Sequence, residues 1–122
     1  MPQLVEMDRH VSLSEQMEQQ VGPVILINTF TVEPEEAEQL QEAWASDAAF
    51  MKQQPGFVSA QLHRGIGGSS VFFNYAVWES VEHFRRAFGN PEFQSKMNDY
   101  PPSAAASPHL VEKVAVPGIC VA

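Results

Sequence analysis

Cysteine is nearly missing from this chain of 122 residues. The one thiol, Cys120, stands near the C-terminus and has no partner for an internal disulfide, which points to a reducing, cytoplasmic setting. Basic residues are scarce too: seven Lys and Arg against fifteen Asp and Glu leave a net charge of −8. Binders of nucleic acid or anionic membrane carry basic patches, and here only Arg85-Arg86 and His63-Arg64 come close. Both partner classes are set aside. No apolar run approaches the roughly 20 residues that span a bilayer. The opening MPQLVEMDRHVSLSEQMEQQ lacks the basic start and apolar block of a secretory signal.

Catalytic signatures are equally sparse. Val32-Glu33-Pro34 sits where a phosphate loop would follow the first strand, which argues against the common nucleotide and flavin sites. There is no G-x-S-x-G elbow, no supported cysteine nucleophile and no evident pair of carboxylates. The four histidines lack metal-ligand spacing. Any chemistry falls to amides, an indole and a histidine in an apolar pocket.

What is present fits one globular domain: 44% of residues are hydrophobic and 18% charged, too apolar for a disordered chain. Residues 1–22 read as a polar arm outside the core, mobile or laid on a partner, 23–117 as the folded domain and 118–122 as a short tail. Val24–Val32, rich in β-branched and aromatic residues, reads as a buried strand. Glu33-Pro34-Glu35-Glu36 is a helix-start signal, because proline suits a first helical position and the N-terminal dipole favours acids. Ala37, Leu40, Trp44, Ala48 and Met51 then mark one helical face, which Pro55-Gly56 ends. Phe57–Arg64 and Val71–Glu79 read as a hairpin across a glycine-rich turn. Ser80 caps a second helix carrying Val81, Phe84 and Phe88 inward; Glu92–Met97 adds a further turn or two. A Pro/Ala/Ser connector, 101–108, leads to a fourth strand over His109–Val116. The order β-α-β-β-α-β predicts an α+β ferredoxin-like fold with an antiparallel sheet and both helices on one face. The other face has no element left to cover it, so a homodimer is expected.

Period-two alternation puts Phe72, Asn74, Ala76 and Trp78 on one face of the third strand. A buried amide there needs a partner. Asn74 and the Trp78 indole either meet a ligand oxygen or are satisfied within the core. Asn28, between Leu26 and Phe30, poses the same choice on the first strand. By alternation His63 shares a face with Phe57, Ser59 and Gln61. It is a candidate acid or base, or a surface residue. His83, third in its helix, reads as half exposed, and Arg85-Arg86 as a solvated face.

The stretches GPVILINTFTVEPEEAEQL, PGFVSAQLHRG, FFNYAVWESVEHFRRAFGNPEF and PHLVEKVAV resemble the antibiotic biosynthesis monooxygenase family over about residues 23–116. N-Y-A-x-W-E-S is the most specific of these signatures. The resemblance implies a dimeric α+β barrel. It also implies, as in some members, a monooxygenase without cofactor or metal that turns a phenol-type (anthrol or naphthol) ring into a quinone with O2. In that chemistry the deprotonated substrate itself reduces O2, and fixed donors in a dry pocket stabilise the anion. The resemblance assigns Asn74 and Trp78 as the catalytic donors. Asn28, His63, Phe72, Phe84 and Phe88 fall to the pocket of an apolar or aromatic metabolite. Two departures stand out. Phe84 occupies the position of a tyrosine in the quinone-forming members, and Pro91–Met97 offers Lys96 but no arginine. A haem-degrading branch matches Asn28 and Trp78, yet its iron-binding histidine falls at Phe88. A binding module without turnover is the non-enzymatic alternative.

Overall fold

The computed structural model describes residues 2–122. Nine elements follow in chain order: β1 (Gln3–Leu4), α1 (Leu13–Gln16), β2 (Val24–Thr31), α2 (Ala37–Met51), β3 (Phe57–Arg64), β4 (Val71–Trp78), α3 (Val81–Phe88), α4 (Pro91–Lys96) and β5 (Ala105–Val111). Short 3-10 turns at Pro34–Glu36 and Met97–Asp99 lead into α2 and out of α4. From β2 onward the strands and two long helices give the ferredoxin-like order. The sheet runs β1-β5-β2-β4-β3, mixed because β1 lies parallel to β5 while the other pairs are antiparallel.

Local chemistry accounts for the helix ends. Pro34 opens the turn into α2 with Glu35 and Glu36 beside it. Ser80 accepts the His83 N–H at the start of α3, and Asn90 accepts the Glu92 N–H at the start of α4. Gly56, at φ 86, has the ring of His83 packed where a Cβ would be, so a side chain is excluded there on two counts.

Three sequence expectations change. The segment 1–22 is not outside the core: Leu13 is buried in it beside Leu26 and Trp78. Gln16 extends its amide to the outer edge of β5, where Oε1 accepts the Leu110 N–H at 2.9 Å and Nε2 donates to the Leu110 carbonyl at 2.8 Å. The last strand begins at Ala105, not His109, and ends at Val111. Pro108 is tolerated inside it for a geometric reason. Ala104 and Ala106 point their carbonyls outward to Gln3 and Val5, and Leu110 points outward to Gln16. By alternation the Pro108 nitrogen also faces outward, where β2 asks for no donor. The third change is a bulge in β3 between Phe57 and Ser59. It breaks the alternation, so Phe57 turns to the helices while His63 stays on the opposite face beside Phe73.

The helix-facing side of the sheet is built in rows. Val24 pairs with Trp78; Leu26 lies between Ala76 and Leu110; Asn28 between Asn74 and Pro108; Phe30 between Phe72 and Ala106. Apolar rows above and below the asparagine row seed two separate buried clusters. One holds Leu26, Met51, Trp78 and Phe84; the other holds Phe30, Leu40, Phe72 and Tyr100. Packing is interrupted where the asparagines sit, and the cavity lies there. Across the sheet, Ile25, Ile27, Phe73 and Val77 are half-buried and Tyr75 is 37% exposed.

Candidate active site

The cavity has a volume of about 50 Å³, room for a few water molecules. Asn28 and Asn74 form its polar floor, with Trp78 and Phe84 at one end and Phe30 at the other. From α2 come Trp44, Asp47 and Met51; Phe88 of α3 and Phe93 of α4 complete the wall. Trp78 and Phe84, each 1% exposed, meet edge to face at 5.9 Å, and Phe84 also contacts Phe88 at 5.4 Å. This chain of rings fixes the indole.

The floor carries unspent polarity. The Oδ1 atoms of Asn28 and Asn74 are buried without a hydrogen-bond partner among the described residues. Such a group costs about 1–3 kcal/mol when left unpaired. The two amides face each other across the β2–β4 register, so both deficits fall at one spot. A half-turn of either amide presents NH2 in place of oxygen, so the row can meet a hydroxyl or an oxyanion.

The titratable group in the cavity is Asp47, which sequence reasoning missed. Asp47 falls between Trp44 and Met51 on the same apolar face of α2, so the signal was a carboxylate within a hydrophobic stripe. Its Oδ2 accepts the Tyr100 hydroxyl at 2.7 Å. Burial raises the carboxyl from 3.8 to about 6, opposed by that hydrogen bond and by the charge of Lys96. The Tyr100 hydroxyl is pushed up in turn, by burial first and then by the Asp47 charge, and stays protonated. Tyr100 stacks on Phe30 at 5.6 Å, which aims its hydroxyl. Lys96 is anchored on α2 through Ser46 Oγ at 3.1 Å.

Of the residues singled out from sequence, Asn28, Asn74, Trp78, Phe84 and Phe88 meet at this cavity. Phe72 shares their face but lies one row further, buried in the second cluster with Arg64 over its ring at 5.0 Å. His63 is on the far face of the sheet, exposed, with Nδ1 3.2 Å from the Phe73 carbonyl oxygen. The bulge at Phe57 is the reason. None of the four histidines lines the cavity. His83 holds Ser80 Oγ through Nδ1 at 2.7 Å, and Phe88 offers no donor atom, so these residues do not fit a haem with an axial ligand.

The profile of the family described as antibiotic biosynthesis monooxygenase matches residues 23–98. The chain belongs to the antibiotic biosynthesis monooxygenase family. Deoxynogalonate monooxygenase of Streptomyces nogalater is 40% identical over 70 residues, 57% of this chain and 58% of that protein. A mycobilin-producing haem oxygenase of Mycobacterium tuberculosis is 32% identical over 69 residues, 57% of this chain and 66% of that protein. The chain thus spans about three-fifths of the length of the curated relatives it matches. The crystal structure of SnoaB, a cofactor-independent oxygenase from Streptomyces nogalater, superposes with a TM-score of 0.72 at 28% identity, over 80% of this chain and 99% of that one. Within the family match, β2 through α4 supply every cavity residue except Pro108.

Proposed function

We propose that this antibiotic biosynthesis monooxygenase family member oxidises an electron-rich aromatic of the phenol or anthrol type to a quinone with O2, without a cofactor. The observation that carries the reading is the pair of unpartnered amides, Asn28 and Asn74, set beside the Trp78 indole in a cavity that is otherwise apolar except for Asp47. A phenolate oxygen lying over that row would take amide and indole hydrogen bonds, and the surrounding Phe and Met side chains would exclude water. The substrate anion supplies the electrons: a ring C–H carbon becomes a carbonyl with one oxygen of O2, and the other oxygen leaves as water with that hydrogen and the hydroxyl proton. A fused ring needs more than 50 Å³, so in this reading the wall opens to admit it, with the half-buried Trp44 as the side chain that moves. The names of the monooxygenase and oxygenase relatives agree with this chemistry.

The working form in this reading is a homodimer in the reducing cytoplasm, joined through the half-buried sheet face of Ile25, Ile27, Phe73 and Val77. Oxygen uptake by metal-free protein on a panel of anthrols, naphthols and hydroquinones tests the activity. Saturable uptake above background that falls in Trp78→Phe supports it. No uptake across the panel overturns it in favour of a binding module that returns its ligand unchanged.

A further inference from the structure

The phenol needs somewhere to put its proton, and the histidines lie elsewhere. We infer that Asp47 is the proton acceptor of the cavity and that Tyr100 is the residue that positions it. The inference rests on the reading of the cavity as a phenol-oxidising site.

The geometry is specific. Asp47 is the one cavity-lining side chain with an ionisable group. One of its oxygens is taken by the Tyr100 hydroxyl; the other has no hydrogen-bond partner among the described residues. Tyr100 is held from below by its stack on Phe30, a residue of the same cavity wall. The carboxylate is thus fixed on the helix side of a cavity whose sheet side is the Asn28–Asn74 row. A phenol oxygen lodged between them meets amide donors on the sheet side and the carboxylate acceptor on the helix side. Groups facing Asp47 from neighbouring elements are Tyr100, from the turn after α4, and Lys96 of α4. The sheet presents only the neutral amides. Lys96 and Tyr100 favour the ionised form while burial opposes it, which keeps the acceptor basic enough to work near neutral pH.

In the step itself the substrate O–H bond breaks and its electron pair remains on the aromatic oxygen. The proton bonds to the Asp47 oxygen that Tyr100 does not hold. No electron leaves the substrate, and the charge of the cavity is unchanged: the carboxylate becomes neutral as the phenolate forms. Electron transfer to O2 follows as a separate event.

Oxygen uptake as a function of pH, with wild type, Asp47→Asn and Tyr100→Phe, reads the assignment. Wild-type kcat/KM should fall on the acid side with a limb near pH 6. Asp47→Asn should lower kcat about 10²–10⁴-fold with little change in KM and lose the limb. Tyr100→Phe removes a bond that favours the carboxylate, so its limb should move to higher pH, a shift that a merely structural role would not produce. Full turnover and an unchanged limb in Asp47→Asn would overturn the assignment.

A second measurement separates this from failure of the oxygenase reading. A nitrophenol with a coloured anion is bound anaerobically, in weak buffer, at a pH where the free probe is neutral and Asp47 is ionised. In wild type the anion colour should appear without proton release to the medium. Asp47→Asn should release one proton for each anion formed. A wild type that forms no anion, or releases a proton with each, overturns the inference whether or not oxygen is consumed.

Discussion

At the scale of single residues, Asn28 and Asn74 carry a cost that the proposed ligand would relieve. Each leaves a buried amide oxygen unpaired in the free protein. Replacing Asn74 by leucine, of similar size, removes one orphan and extends the apolar rows. Asn74→Leu is expected to stabilise the chain by about 1 kcal/mol in urea unfolding while abolishing oxygen uptake. Lower stability would mean that the amide is satisfied in the native ensemble, against its reading as a ligand group. Asp47 makes the opposite kind of demand. Folding raises its carboxyl from 3.8 to about 6, so between those pH values the folded chain holds a proton that the unfolded chain has released. The resulting stabilisation is complete below about pH 4 and is lost as pH rises through about 6. Allowing for partial exposure, the loss is on the order of 1–2 kcal/mol. Unfolding free energies of wild type minus Asp47→Asn should decline by that amount from pH 4 to 7; a flat difference would contradict the shift.

At the scale of elements, the arm before β2 completes the sheet. Residues Gln3 to Val5 pair with β5, and the Gln16 side chain takes over as a surrogate strand at Leu110. The two supports lie on either side of Pro108, which needs none. Gln16→Ala leaves the Leu110 N–H and carbonyl without these partners and should cost about 1–3 kcal/mol in thermal unfolding, with the cavity walls untouched. A change below a few tenths of a kcal/mol would show that water replaces the amide fully. The bulge in β3 is the other decisive local event. By shifting one residue it delivers Phe57 to the cavity, edge to face with Trp78 at 5.5 Å, and leaves His63 outside.

At the scale of the whole molecule, the sheet has one face closed by helices and one partly open. Ile25, Ile27, Phe73 and Val77 form a continuous half-buried patch, with the chain's last residues beside it. In the dimer proposed above, a lysine at Ile27 would bury an unpaired charge at the centre of the joint. Ile27→Lys should therefore sediment as a monomer under conditions where the wild type is a dimer. Identical sedimentation of the two as dimers would move the interface elsewhere.

Much of this was legible in the residues themselves. The spans of β3, β4 and α3, the turn at Pro34 and the common face of Asn74 and Trp78 follow from periodicity, capping and breakers, which act within a few residues. Those interactions are local, so the chain alone determined them, together with the order of elements from β2 onward and the family signature. Tertiary structure decided what depends on distant partners. The proline of β5 reads as a breaker until its neighbours show which way its nitrogen faces. A bulge overrides strict alternation at His63. Asp47 looks like one more helix acid until Tyr100, fifty-three residues away, bonds it over a cavity. Its raised pKa comes chiefly from burial, and burial belongs to the assembled fold, not to any single stretch of chain.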